Sequence, residues 1–195
     1  MGAIRNLLAI IGLVAVIAAG FANTKIQPMM SSLDQFEDKS MDVFIDMGEK
    51  LIETQSMAEA SIWKIPVEEG MTAADVEETM KFVANEHNFK NVGEMPLYKE
   101  VEAMSGQPYR YVKIFMFCNA LTASRMLDYS DAFSSYLPCR ITLIEDKEGK
   151  LWLYTLNMDG MIYGGKPLPP ELKAEAENVK EIILDIMNRG ATGEF

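Results

Sequence analysis

The stretch "CRITLIEDKEGKLWLYTLNM", Cys139 to Met158, constrains this chain more than any other. Two runs rich in β-branched and aromatic residues flank a short polar turn containing Gly149. This pattern predicts a hairpin of directly paired strands. Upstream, strands and helices alternate. Ile62–Val67 predicts a first strand. Thr72 and Asp75 then predict a capped helix with Val76, Met80, Val83 and His87 on one face. A short strand is expected near Phe89–Val92, followed by a helix that opens at Pro96, turns Leu97, Val101 and Met104 inward and stops at Gly106. "YRYVKIFMFC" predicts a strong strand, and Asn119 caps a helix running to about Asp128. Pro169 and Pro170 open a final helix with Leu172, Ala176, Val179, Ile183 and Ile186 on one face, ending near Gly190. Because the last strands pair without a crossover, the chain is not doubly wound. The expectation is α+β: an antiparallel or mixed sheet of about five strands, helices mainly on one face, and an N-terminal hydrophobic helix in front.

That N-terminal helix is the second constraint. After Arg5, Leu7 to Ala22 carries no polar side chain and covers ~24 Å as a helix. With Ala3 and Ile4, or with local thinning of the bilayer, the run is long enough to span. A secretory signal fits as well, with Gly20-Phe21-Ala22 as a small-residue cleavage site. Either way the rest of the chain is exported: anchored in the inner membrane and facing the periplasm, or secreted to the periplasm if the segment is cleaved. Residues 1–22 are thus an anchor or signal. Residues 23–57 form a polar tether and an amphipathic helix, roughly Ser40–Thr54, able to pack on the domain or on the same helix of a second copy. Residues 58–195 form the α+β domain.

Charge narrows the partners. The formal net charge is −11, and no basic stripe offsets it, which argues against nucleic acid and against anionic surfaces bound through charge. The fifteen methionines are scattered and serve as core filler rather than as a soft-metal cluster.

The two cysteines, Cys118 and Cys139, are the candidate functional thiols. Joined by a crossover, their strands would run parallel and hold the thiols ~25 Å apart; as antiparallel neighbours they would share one end. Cys118 shares its side of the strand with Val112, Ile114 and Met116, and Cys139 with Ile141 and Leu143, so both thiols are expected to point into an apolar layer. Four readings stay open: buried free thiols, a disulfide, a thiol site for a soft metal, haem or redox partner, and two unrelated residues. Zinc is poorly served by two cysteines and one histidine.

"FCNALTASRML" and "YLPCRITLIEDKEGKLWLY" together resemble the bacterial domain-of-unknown-function family 302, whose hallmark is a Cys-Asn-Pro-like segment opening a helix and a Leu-Pro-Cys segment opening a strand. Cys118-Asn119 matches the first, with Ala120 in place of proline; Leu137-Pro138-Cys139 matches the second. The resemblance covers about Ala60 to Phe195. It implies a small, often dimeric α+β domain with antiparallel strands beside the hairpin, hence neighbouring thiols, and it brings no agreed activity.

Asn119, Pro138, Arg140, His87 and Met116 are the secondary candidates. His87, the single histidine, is expected on an apolar helix face in a structural role. "YGGKPLPPEL" lacks the spacing of a phosphate loop and predicts a plain loop. The serines lack a nucleophile-elbow context, and no pair of carboxylates stands out. The function expected is therefore binding, not catalysis: a membrane-tethered domain taking a partner protein, a membrane protein among the candidates, or a small ligand, as a homodimer, with no cofactor predicted. The alternative is a thiol redox or haem/metal-binding protein using Cys118 and Cys139, with His87 or Met116.

Overall fold

The computed structural model describes residues 2–195. Helix α1 (Gly2–Phe21) runs through a π-helical turn, Ala22–Ile26, into α2 (Gln27–Leu33). Within it, Ala9–Leu33 is long and apolar enough to cross a membrane, a test that a secretory signal also passes, and none of its apolar window is buried. The polar segment expected as a tether is helical as far as Leu33. Within it Thr24 donates its hydroxyl to the Gly20 carbonyl at 2.7 Å, so this polar side chain is accommodated on the helix itself.

The domain contains α3 (Ser40–Thr54), α4 (Met57–Ala60), β1 (Ile62–Pro66), α5 (Ala73–Glu86), β2 (Lys90–Met95), α6 (Leu97–Ser105), β3 (Val112–Cys118), α7 (Ala120–Tyr129), a 3-10 turn (Asp131–Tyr136), β4 (Cys139–Glu145), β5 (Leu151–Leu156), α8 (Asp159–Tyr163) and α9 (Pro170–Thr192). The strands form one sheet in the order β1-β5-β4-β3-β2, and every neighbouring pair is antiparallel. The β4–β5 hairpin turns at Gly149, whose φ of +84° suits a residue without Cβ.

One face of the sheet is covered by α5 and α9. Phe115 and Phe117 of β3, Ile141 and Leu143 of β4 and Leu153 of β5 are fully buried beneath Met80, Val83, Ile183 and Ile186. Each such side chain contributes about 1.5–3 kcal/mol of burial. Helix α5 starts where the sequence indicates, on a complete Thr72–Asp75 capping box. Helix α9 passes Gly190 and ends at Thr192. Gly190 is buried, and a methyl group there would stand 2.6 Å from Met80 Cγ, so this glycine lets α9 approach α5 rather than ending the helix.

Two inward assignments fail. Helix α6 buries none of its residues, and Met104 is 88% exposed. His87 is the residue that closes α5, not part of its buried face, and it is exposed. In both cases helical periodicity carried the pattern one turn beyond the packing.

The chain enters the domain at a docked segment. The Glu37 N–H donates to Gly165 O at 2.8 Å, and the Glu37 carboxylate holds Lys173 of α9 at 2.7 Å. Helix α3 turns Val43 toward the core but leaves Met41, Phe44, Ile45 and Ile52 exposed.

Candidate functional site

Residues directly opposite one another in an antiparallel sheet share a face, and successive residues alternate. Cys139 is opposite Phe117, while Cys118 is opposite Lys90 on the other side of β3. The two cysteines therefore sit at the same end of adjacent strands, as the family resemblance implies, but on opposite faces. Cys139 packs against the helix-covered core with Ile141 and Leu143. Cys118 falls in the row of Ile114 and Met116 on the half-exposed face, so the expectation that both thiols enter one apolar layer is corrected. The pattern of each strand was right; the register between them, which a single strand does not display, offsets the pair by one residue.

A cavity joins them nonetheless. About 290 Å³ of space wraps this end of the sheet, with both cysteines in its wall. Met126, Phe133, Met158 and Val179 make it apolar. Asn119, Arg140, Thr142, Tyr136 and Tyr154 supply polar groups. The local chain builds it: β3 stops at Cys118, Asn119 accepts the N–H groups of Leu121 and Thr122 to start α7, and the 3-10 turn brings the chain back to Cys139. Pro138, which follows a cis peptide bond, sits just before that return.

Neither cysteine is bridged, and both are half-buried. Burial raises the Cys118 thiol above its usual range. Cys139 is pushed up to about 11, first by burial and then by the adjacent Cys118. Both thiols are thus protonated near neutrality, the opposite of the depressed pKa that activates a nucleophilic cysteine.

Of the other candidates, Asn119 and Arg140 join the pair in the cavity wall, while His87 and Met116 do not. His87 Nε2 is 2.7 Å from Asp185 Oδ2 on α9, outside the cavity wall. Met116 lies over the sheet, its methyl 2.8 Å from where a Cβ on Gly93 would be. Arg140 does join the cavity, and its guanidinium favours ionisation of Cys139. Among the described residues, no group of three or more His, Cys, Asp or Glu side chains is placed to hold a metal ion.

A second cluster escaped the sequence reading. Lys113 Nζ contacts Glu77 Oε2 at 2.6 Å and Glu94 Oε2 at 2.7 Å, Lys81 reaches Glu94 at 2.8 Å, and the Tyr111 hydroxyl donates to Glu77. Burial works to raise the Glu94 carboxyl, but hydrogen bonds from Lys113, Lys81 and Asn91 outweigh it and hold it at about 2. Glu77 is lowered in the same way by Lys113 and Tyr111, again against burial. Two lysines balance two carboxylates, so the cluster fastens α5 to β2 and β3 and leaves no charge poised for chemistry. No sequence signal marks it, because its partners lie up to 36 residues apart.

The family model described as "Domain of unknown function DUF302" matches residues 63–190. Three solved chains also match. One, a crystal structure of an uncharacterized conserved protein DUF302 from Bacillus stearothermophilus, superposes with a TM-score of 0.54 at 15% identity, over 66% of this chain and 96% of that one. At that identity the likeness shows the fold. No curated protein matches.

Proposed function

We propose, on the premise that this chain belongs to the DUF302 family of domains of unknown function, that it binds a small apolar molecule in the Cys118/Cys139 cavity. The cavity itself is the observation that carries this reading. It is about twice the ~150 Å³ that holds benzene in a dry engineered core, and it has a few polar groups in an otherwise apolar wall, as small-molecule sites do. The raised thiol pKa values favour Cys118 and Cys139 as protonated wall groups over the redox or haem/metal alternative.

The N-terminal helix tethers the domain to the inner membrane, facing the periplasm; export as a cleaved secretory protein is the other outcome of N-terminal sequencing. The domain works as a homodimer through α3. Its exposed stripe of Met41, Phe44, Ile45 and Ile52 has Gly48 at its centre, with open space where a Cβ would be, so two such helices can approach closely.

The test uses the full chain in nanodiscs with ¹³C-methyl methionine, titrated with toluene. Met126, Met158 and Met161, which line the cavity, should shift saturably while exposed Met104 stays still. Ala123→Phe, which fills the cavity from α7, should abolish the response. Unsaturable shifts, or shifts equal at Met104, would sink the reading.

A further inference from the structure

The charge distribution around the cavity says what kind of molecule it takes. The chain carries 29 acidic residues, yet among the described residues no Asp or Glu lines the cavity, and Arg140 is the one charged group in its wall. Among the described residues, no carboxylate pairs with the Arg140 guanidinium, which is exposed at the cavity edge on the same face as Cys118. Elsewhere Lys64, Lys81, Lys113, Arg125, Lys173, Lys180 and Arg189 hold carboxylates, and none of them lines the cavity. Helix α7 adds to the same sign of field, because it begins at Asn119 and presents its positive end with Thr122 and Ala123 in the wall.

We infer that the ligand is an amphipathic anion: an apolar tail of roughly medium alkyl length within the cavity and one anionic head group, a carboxylate, on Arg140. This rests on the binding reading above and specifies it. The apolar wall supplies most of the affinity without regard to charge. Arg140 supplies selection, because a guanidinium matches a carboxylate with two parallel hydrogen bonds and gives an alcohol of equal length much less. A cationic head group meets repulsion from Arg140 and from the α7 terminus, so it is rejected rather than merely unrewarded.

Three probes with one tail separate these contributions: octanoate, octan-1-ol and octyltrimethylammonium. Full-length protein in zwitterionic nanodiscs is alkylated with N-ethylmaleimide at pH 9, and the rate at each cysteine is read by mass spectrometry against the free probe concentration. Octanoate should protect the thiols at about tenfold lower concentration than octanol, and the ammonium should protect least. Arg140→Gln should bring the protecting concentration of octanoate level with that of octanol, and Arg140→Lys should restore part of the preference. Equal protection by octanoate and octanol in the unaltered protein overturns the anion assignment while leaving cavity binding intact. A preference that survives Arg140→Gln overturns the role of Arg140. If none of the three probes protects either thiol, the binding reading itself falls.

Discussion

Cys139 stands directly across from Phe117, one residue out of step with Cys118, so the two thiols meet at the rim of a sheet from opposite faces. A half-step offset of this kind lets two cysteines share a cavity wall without pointing at one another. It also gives them unequal surroundings, since Cys139 packs on the core cluster and Cys118 does not.

Their reactivity should differ accordingly. Alkylation of Cys139 should be slow at pH 7 and climb only as the pH approaches about 11, with Cys118 reacting first at every pH. Cys139 keeps its proton in the folded state above pH 9.0, where the unfolded thiol loses it, so unfolding releases a proton and stability falls as pH rises from 9.0 to about 11. Mass spectrometry of each labelled peptide against pH decides; a Cys139 rate at pH 7 equal to that of an unstructured cysteine contradicts the picture.

The Glu94 network should appear in acid. Its carboxyl is depressed from 4.5 to about 2, so its stabilisation is complete above pH 4.5 and is lost as pH falls toward about 2. Glu94→Gln should destabilise the domain by about 1–2 kcal/mol at pH 7, with solvent exposure reducing the full effect of the shift. The gap between variant and parent should close between pH 4.5 and 2 in denaturant titrations. A gap that does not vary with pH would mean the network is not electrostatic in origin.

Gly190 offers a packing test. Alanine normally gains about 1 kcal/mol over glycine inside a helix. Here its methyl would press on Met80 in the buried contact between α5 and α9. Gly190→Ala should therefore lower stability by about 1–2 kcal/mol overall. Thermal melts that rise instead would show that Met80 moves aside freely.

Self-association should depend on α3. Phe44→Asp and Gly48→Leu should each weaken the dimer at least tenfold, read by analytical ultracentrifugation in detergent. Neither should change the melting of the domain, since Phe44 is exposed and a Cβ on Gly48 meets nothing within 4 Å. Dimers that withstand both changes would move the interface elsewhere.

Much of the architecture was legible because its determinants are local. The hairpin around Gly149, the Thr72–Asp75 box, the Asn119 cap and the Pro169-Pro170 start all carry their physics within a few residues. The site was legible only in part. The paired motifs identified the cysteines, but the one-residue offset between them is a property of β3 and β4 together. Arg140 stood among the secondary candidates as a neighbour of Cys139; its place as the charged group of the cavity wall depends on what the fold assembles around it. The Lys113 cluster was hidden for the same reason, and His87 was misplaced because periodicity does not show where packing ends.

The grip of Lys173 on Glu37 has a mechanical consequence. The chain coming from the N-terminal helix is clamped to the last helix before it reaches the first strand. Tension on that helix would be borne by α9, whose Ala176 and Val179, a turn or two beyond the clamp, form part of the cavity wall. The segment that follows the N-terminal helix is thereby pinned to the helix that forms one wall of the cavity.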